Sequence, residues 1–173
     1  GLLGKILIQV AVEKRRADSL LEIVIPIGVE LSTEKNFSRL VEKMLLEAKS
    51  FCKADAGTLY LMNDNHLEYA VVRNDSLEIA MGGTSGQEIT LPPIHLQDET
   101  TGEPNYRNVA AYAALTGKTV NLVDAYSANE FDFSEVKEFD QNTGYQSVSF
   151  LIIPLKDLDG KVLGVLQLLN PLE

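Results

Sequence analysis

The stretch Gln146–Asn170, QSVSFLIIPLKDLDGKVLGVLQLLN, decides the fold of this chain. It holds two apolar runs on either side of a polar turn that contains the dipeptide Asp159-Gly160. Asp-Gly between two apolar runs is a strong short-range signal for a β-hairpin. We therefore predict two buried antiparallel strands, which form the back wall of a pocket rather than an active site.

The charge of the chain limits its partners. Among 173 residues there are 25 Asp and Glu against 15 Lys and Arg, which gives a formal net charge of −10. Proteins that bind nucleic acid through phosphate contacts need a basic face. We predict no nucleic-acid partner, and a cationic or neutral partner fits the charge better. The length favours one domain with a sizeable core.

Cysteine and histidine are rare. Cys52 is the single cysteine, and His66 and His95 are the two histidines. This count excludes a disulfide framework and a Cys/His zinc cluster, so we predict no metal and a reducing, cytoplasmic location. The opening run Leu2–Val12 is too short to span a bilayer, and the chain begins with Gly, which favours a fragment of a longer protein.

The first 31 residues differ in pattern from the rest and are predicted to be an N-terminal linker or signalling helix, followed by a domain over 32–173. Pro26 kinks or ends a helix near Ile25. Two interpretations of the apolar stripe are open, namely the seam of a parallel homodimer and packing back onto the domain. The stripe consists of Leu20, Val24, Ile27 and Leu31, and an earlier set at helical spacing consists of Leu3, Ile6 and Val10.

The remaining elements predict an α+β fold with one central sheet. A helix follows Ser32 with an apolar face from Phe37 to Phe51, and a hairpin over 58–73 follows, with Leu67, Tyr69 and Val71 on one side. A long loop over 74–104 contains a short strand at 88–91. Further elements are an alanine-rich helix from Pro104 to Gly117, an extended piece at 119–123, and a short helix that starts near Asp132 or Ser134, reaches Asp140 and ends at Gly144.

Three polar residues stand at the entrance to the closing hairpin. Asp140, Thr143 and Ser147 offer one acceptor and two hydroxyls between a short helix and a buried strand. A purine edge or a ribose suits this set. The alternative is that Asp140 and Thr143 satisfy backbone groups at the helix end.

Further candidate ligand contacts surround the alanine-rich helix. Arg107 and Asn108 lie at its start, where an anion such as a cyclic phosphate is favoured, although a solvated surface role is the alternative. Tyr112 and Phe133 can stack on a planar ligand, or they can belong to the core. No residue is predicted to be catalytic.

Several motifs in a fixed order resemble a GAF domain over roughly residues 33–170. They are Ala54-Asp-Ala-Gly57-Thr-Leu-Tyr-Leu61, Ala114-Leu-Thr-Gly117 with Asn121-Leu-Val-Asp124, Asp140-x-x-Thr143-Gly144-Tyr145-x-Ser147, Leu151-x-x-Pro154-Leu, and Gly164-Val-Leu-Gln-Leu168. The chain is similar to bacterial GAF domains that precede HD-GYP phosphodiesterase or nucleotide cyclase modules, and to those of cyclic-nucleotide phosphodiesterases.

The resemblance implies a twisted antiparallel sheet with helices on one face and a ligand pocket on the other. It also implies a non-catalytic regulator of an output module in the same chain, which passes on ligand occupancy through terminal helices that pair in a homodimer. Asp124 then lies on the pocket wall, and the candidate ligand is cAMP, cGMP or a metabolite. An Asn-Lys-Phe-Asp-Glu pattern of the cyclic-nucleotide group begins at Asn170, but Pro171 stands in place of the Lys.

Two other classes of function are open. One is a dimerisation or protein-interaction module that binds no ligand and fills its pocket with its own side chains. Its signature is a pocket packed by Tyr112, Phe131 and Phe133. The other is an enzyme that uses Cys52, which lacks an evident activating base.

Overall fold

The computed structural model describes residues 9–13, 20–24 and 34–171 of the chain. Its elements follow one another as strands and helices in a mixed order. They are β1 (Gln9–Glu13), β2 (Leu20–Val24), α1 (Glu34–Cys52), β3 (Ala54–Asn63), β4 (His66–Asn74), β5 (Ile79–Gly82), β6 (Ile94–His95), α2 (Val109–Thr116), β7 (Val120–Leu122), α3 (Ser134–Thr143), β8 (Phe150–Lys156) and β9 (Val162–Pro171).

Within these residues, nine strands form a single sheet. The main path runs β1-β2-β8-β9-β3-β4-β5, while β6 pairs with β4 and β7 pairs with β8. All pairs are antiparallel except β2 with β8, which are parallel where Val24 faces Lys156. The closing hairpin of β8 and β9 lies at the centre of this sheet, as the sequence predicts.

Two apolar layers sandwich the sheet. On one face α1 buries Val41, Leu45 and Ala48 against β3, β8 and β9. On the other face α2 packs its alanines against Phe150 and Val165, and the first turn of α3 adds to the same cluster. The predicted α+β fold with a central antiparallel sheet is confirmed. The face opposite α1 carries a cavity, and α2 and α3 lie on that face too.

A β-bulge reassigns one predicted face. The β3–β4 register shifts between Leu59 and Tyr60, where Leu59 pairs with Val71 and Tyr60 pairs with Tyr69. Ala70 is the extra residue, and a single inserted residue reverses the alternation of side chains. Tyr69 therefore faces the layer of α2 while Val71 faces the layer of α1, and the prediction that both share one side is wrong.

The N-terminal helix is also a wrong prediction where the structure describes it. Val10 lies in β1, and Leu20 and Val24 lie in β2, which pairs antiparallel with β1. Apolar residues three and four positions apart also arise in two short strands joined by a polar connection, and Ile and Val favour strands. Leu3, Ile6, Ile27, Leu31 and the proposed boundary at residue 32 lie outside the described residues.

Smaller differences concern boundaries and one exposed side chain. The alanine-rich helix begins at Val109 rather than at Pro104, and residues 88–91 are not a strand. Instead, β5 and β6 extend the sheet on either side of that segment. Phe51 is 59% exposed and does not belong to the buried face of α1. In the part of the chain that the structure describes, no helix is long and apolar enough to cross a membrane.

Candidate functional site

A cavity of about 340 Å³ lies between the sheet and the starts of α2 and α3. Its volume falls in the range of roughly 300–1,000 Å³ that small-molecule sites have. The lining combines aromatic rings from the sheet with polar groups from the two helix starts. It consists of Tyr60, Tyr69, Ile94, Asn105, Arg107, Asn108, Val109, Ala110, Asp132, Phe133, Ser134, Glu135, Val136, Phe150 and Gln167.

The start of α2 forms one wall of this cavity, and the side chain of Asn108 caps its free backbone N–H groups. The Asn108 side chain accepts hydrogen bonds from the backbone N–H groups of Ala110 and Ala111, both at 3.0 Å. Asn105 accepts from the Asn108 N–H at 3.3 Å, which fixes the approach to the helix. The amides that a bound anion would use at a helix start are thus already satisfied by Asn108.

The starts of the two helices are tied to each other. The N–H of Asp132 donates to the carbonyl of Arg107 at 2.8 Å, and the Arg107 guanidinium donates to the carbonyl of Asn129 at 3.1 Å. Asp132 in turn accepts from the Ser134 N–H at 3.0 Å. That backbone hydrogen bond is the largest cause that holds the pKa of Asp132 below its ordinary value. The wall therefore presents one guanidinium beside a carboxylate that stays ionised at neutral pH.

The floor of the cavity is aromatic. The rings of Tyr60 and Tyr69 are cross-strand neighbours with centroids 4.8 Å apart, and those of Phe133 and Phe150 are 5.2 Å apart. Burial raises the pKa of Tyr60 well above its ordinary value, and burial also raises the pKa of Tyr69. Both phenols keep their protons at neutral pH, so the floor offers flat apolar surfaces and hydroxyl groups.

Gln167 adds an amide to this floor. It lies on β9 between Val165 and Leu169, which belong to the same apolar layer. No other described residue makes a hydrogen bond to its side chain. An amide carries two donors and one acceptor with two lone pairs. A ligand in the cavity can form hydrogen bonds with these amide groups. The carboxylate of Glu135, which also lines the cavity, can accept a hydrogen bond from the same ligand.

Three of the eight ligand contacts predicted from the sequence line the cavity, namely Arg107, Asn108 and Phe133. Asp140 and Ser147 lie elsewhere and bind each other. The buried Asp140 carboxylate accepts from the Ser147 N–H at 2.7 Å and from the Ser147 hydroxyl at 2.8 Å. A ligand would have to displace these contacts to reach either residue.

The other three predicted contacts also have partners within the protein. The Thr143 hydroxyl donates to the carbonyl of Phe139 at 2.8 Å in the last turn of α3. Asp124 is exposed in a turn and accepts from the Tyr126 N–H at 2.9 Å. Tyr112 packs edge-on against Phe131, with ring centroids 5.3 Å apart. The structure therefore does not bring all eight residues into one site.

Tyr60, Tyr69 and Gln167 were not predicted from the sequence to be ligand contacts. One signal for Gln167 was present, because it is the only polar residue in the run Gly164–Leu169 of a buried strand. No comparable signal marks the tyrosines, since the bulge at Ala70 decides that Tyr69 faces the cavity. Sequence periodicity does not reveal such a bulge.

A wider surface groove of about 1040 Å³ runs between α1 and the turn after α3. It lies on the outer surface, and its Lys49 and Asp75 already pair with each other at 2.6 Å. We therefore regard the smaller cavity as the candidate ligand site. His66 and His95 are cross-strand partners, but in the described part of the chain no three His, Cys, Asp or Glu side chains lie close enough together to hold a metal ion.

The fold and the cavity define a class, an α+β domain with a ligand-sized cavity on one face of an antiparallel sheet. The family profile described as "GAF domain" matches residues 36–173, so the chain belongs to the GAF domain family. GAF domains are typically regulatory and sense small molecules.

The chain is similar to parts of two much longer curated proteins. It is 26% identical over 149 residues to "Dual 3',5'-cyclic-AMP and -GMP phosphodiesterase 11A" of Takifugu rubripes, covering 86% of this chain and 15% of that protein. It is 26% identical over 159 residues to "Dual 3',5'-cyclic-AMP and -GMP phosphodiesterase 11" of Drosophila melanogaster, covering 86% of this chain and 10% of that protein.

Among solved structures, the GAF domain of a phosphoenolpyruvate-protein phosphotransferase from Coxiella burnetii shares the fold. It superposes with a TM-score of 0.54 at 16% identity, over 80% of this chain and 71% of that chain. At this identity the likeness concerns the fold alone.

Proposed function

We propose that this GAF domain senses a small molecule that binds in the cavity between the sheet and the starts of α2 and α3, and that the ligand is a cyclic nucleotide, cAMP or cGMP. The observation that carries the proposal is the cavity itself, with aromatic rings on its floor and the unpartnered Gln167 amide among them. Planar heterocycles bind to such a combination because rings give stacking surface and amides read polar edges.

The base and the cyclic phosphate of the ligand contact different groups of the cavity lining. The base lies over Phe133 and Phe150, with its polar edge toward Gln167 and Glu135. The cyclic phosphate lies toward Arg107, which carries the one positive charge among the described residues of the lining. The names of the two phosphodiesterase relatives support this class of ligand, since both act on cyclic nucleotides.

The predicted contacts Asp140, Thr143, Ser147, Asp124 and Tyr112 enter this proposal only indirectly. Asp140 and Ser147 hold the end of α3, while the start of α3 contributes Phe133 and Glu135 to the cavity. We assign the direct contacts to Arg107, Asn108 and Phe133.

The domain then regulates an output module elsewhere in the same protein. Ligand binding shifts the population of domain conformations by no more than the difference in affinity between them. The relatives support a modular arrangement, because the chain spans only 15% and 10% of their lengths. A phosphodiesterase or nucleotide cyclase as the output module, and a homodimer as the assembly, belong to this proposal.

The alternative module with a filled pocket has less support. Its signature is a pocket packed by Tyr112, Phe131 and Phe133. These rings do pack against one another, with centroids 5.3 Å apart for Tyr112 and Phe131 and 6.3 Å apart for Phe131 and Phe133. The cavity lies beside them, however, and Phe133 is only one part of its wall.

Titration calorimetry tests the proposal. We expect cAMP or cGMP to bind and the noncyclic 5′-monophosphates to bind more weakly. Gln167→Ala should weaken binding by about tenfold, the equivalent of roughly 1.4 kcal/mol for one lost polar contact. Gln146→Ala is the matched control, since Gln146 is exposed and lines the outer groove instead. Absence of binding by either cyclic nucleotide, or an equal loss in both variants, would contradict the proposal.

A further inference from the structure

The connection between α3 and β8 is held from both sides by side chains. It has no strand pairing of its own over residues 144–149. On the helix side, Asp140 binds both the N–H and the hydroxyl of Ser147. On the sheet side, the Asn170 amide oxygen accepts from the N–H groups of Val148 at 3.0 Å and Ser149 at 3.2 Å. The connection thus links a helix of the cavity wall to the end of β9.

Asn170 has the backbone conformation that this role requires. Its φ is +50°, in the left-handed region, although it lies one residue before the end of β9. Asparagine tolerates this region better than most residues. Its N–H donates to the carbonyl of Ser149 at 2.9 Å, and its amide nitrogen donates to the carbonyl of Gln146 at 2.8 Å. One side chain therefore satisfies three backbone groups of the connection.

Tyr145 extends the same network into the sheet. Its ring is buried, and its hydroxyl donates to Asp55 at 2.6 Å while accepting from the Asn170 amide at 3.1 Å. Asp55 is the second residue of β3 and also accepts from the Ser76 hydroxyl at 2.8 Å. We call Asn170, Tyr145 and Asp55 the Asn170 hub.

The same helix reaches from the cavity to this hub. The first turn of α3 provides Phe133, Ser134, Glu135 and Val136 to the cavity wall, and its last turn ends at Gly144 next to Tyr145. Its ten residues span about 15 Å. Because a short helix moves as one body, a displacement of its start must either break the contacts of Asp140 or move the connection that Asn170 holds.

We propose that the Asn170 hub couples α3 to the end of β9, so that a displacement of α3 by a cavity ligand changes the backbone of residues 168–171. This inference rests on the proposed function for its ligand, but the coupling is a property of the protein alone. Asn170 and Tyr145 are positioning residues in this scheme, because neither lines the cavity.

Hydrogen exchange measured by NMR tests the coupling without a ligand. Val136→Ala removes two methyl groups from α3 on its cavity side. We expect it to change the exchange rates of the Leu168 and Asn170 amides by about fivefold, the lower end of allosteric couplings. In an Asn170→Ala background, the same substitution should leave the exchange at Leu168 unchanged. Asn121→Ala is the matched background, since Asn121 is exposed on β7 and should preserve the response.

Two outcomes would overturn the coupling. One is an unchanged exchange rate of the amides of residues 168–170 in Val136→Ala, and the other is an equal response with and without the Asn170 side chain. If Asn170→Ala does not fold, Tyr145→Phe serves as the second background, because it removes a single hydroxyl. It should reduce the response to Val136→Ala at least twofold. An undiminished response would show that the Tyr145 hydroxyl does not take part in the coupling.

Addition of cAMP or cGMP separates this inference from the proposed function. If neither nucleotide binds, the proposed function fails while the result with Val136→Ala still decides the coupling. If one binds and protects residues 133–136 but leaves 168–171 unchanged, the coupling is overturned and the proposed function stands.

Discussion

Asp140 is the clearest case of a polar residue whose neighbours decide its role. Its carboxylate is 6% exposed and accepts hydrogen bonds from the Ser147 N–H, the Ser147 hydroxyl and the Tyr126 hydroxyl. A buried charge is tolerated only when it is paired or fully hydrogen-bonded. Asp140 meets that condition with three donors from outside its own helix. Its primary role is to fix the end of α3.

Replacement of Asp140 by Asn should lower the free energy of unfolding by about 2–3 kcal/mol, because hydrogen bonds to a charged acceptor are lost and an amide donor faces other donors. Urea denaturation followed by circular dichroism measures this change. Asp124→Asn is the control, since Asp124 is exposed, and it should have a much smaller effect. Similar unfolding midpoints for the two variants would show that Asp140 does not hold α3.

Glu42 makes stability depend on pH. Burial by itself raises its pKa, but hydrogen bonds from Thr84 and Arg73 outweigh burial and bring the pKa below the ordinary value of 4.5. The carboxylate is paired with Arg73, whose side chain is 9% exposed. A carboxyl group with a depressed pKa in the folded state stabilises the protein above its unfolded pKa, and that contribution is lost as the pH falls through the folded pKa.

Glu42→Gln should therefore cost about 3 kcal/mol near neutral pH, since it leaves a buried guanidinium without its counterion. The difference from the native protein should shrink as the pH falls below 4.5 and through the depressed pKa of Glu42, where Glu42 itself becomes protonated. Unfolding at a series of pH values measures both. Glu47→Gln on the same helix is the control, because Glu47 is 53% exposed in its pair with Lys43. A difference that does not depend on pH would contradict the role of Glu42.

At the scale of elements, α2 depends on its caps. Asn108 accepts from two backbone amides at the start, and Gly117 ends the helix with a φ of +63°. Asn108→Ala should lower the free energy of unfolding by about 1 kcal/mol. Asn108→Ser should retain most of the stability that the cap provides, because serine also caps helices. Because we assign a direct ligand contact to Asn108, the stable Asn108→Ser variant should bind cyclic nucleotide more weakly than the native domain. Unchanged binding by that variant would show that Asn108 only caps the helix.

The strands β3 and β9 approach each other closely at Gly164. A Cβ atom there would lie 2.2 Å from the carbonyl oxygen of Tyr60, which is rigid backbone. Gly164→Ala should therefore cost 3 kcal/mol or more, at the upper end of about 1–3 kcal/mol for overpacked cores. Gly102→Ala has open space around it and should cost only about 1 kcal/mol, for its positive φ. Thermal unfolding of both variants compares the two costs.

The elements that sequence patterns predicted well are those with a strong local signal. The hairpin of β8 and β9 has Asp159-Gly160 between apolar runs, and Gly117 and Gly144 end the two helices that precede it. What the patterns could not predict depends on contacts between distant residues. The bulge at Ala70 is an example, because it exists only in the pairing of β3 with β4.

The candidate site was predicted less well than the fold for the same reason. Arg107, Asn108 and Phe133 line the cavity as the helix starts suggested. Asp140 and Ser147 were equally good candidates as isolated polar residues, but they satisfy each other in the folded chain. Hydrogen-bonding capacity can be recognised in a sequence, whereas the partner that uses it depends on the tertiary structure.

At the scale of the whole molecule, both faces of the sheet carry an apolar core, and the candidate cavity lies on only one of them. The layer of α1 is continuous, while the layer of α2 and α3 leaves the cavity. Assembly remains a prediction. Leu20 and Val24 of the predicted seam lie in the strand β2 rather than in a helix. Sedimentation equilibrium tests whether the domain forms a homodimer.

The most direct test of the central claim is an NMR titration of the domain with cAMP and cGMP. If the cavity binds one of them, the largest amide shifts should fall in residues 107–110, 133–136 and 165–167, which approach the cavity from α2, α3 and β9. Saturating nucleotide that shifts none of these amides, or that shifts mainly those around Lys49 and Gln146 in the outer groove, would contradict the assignment of the site.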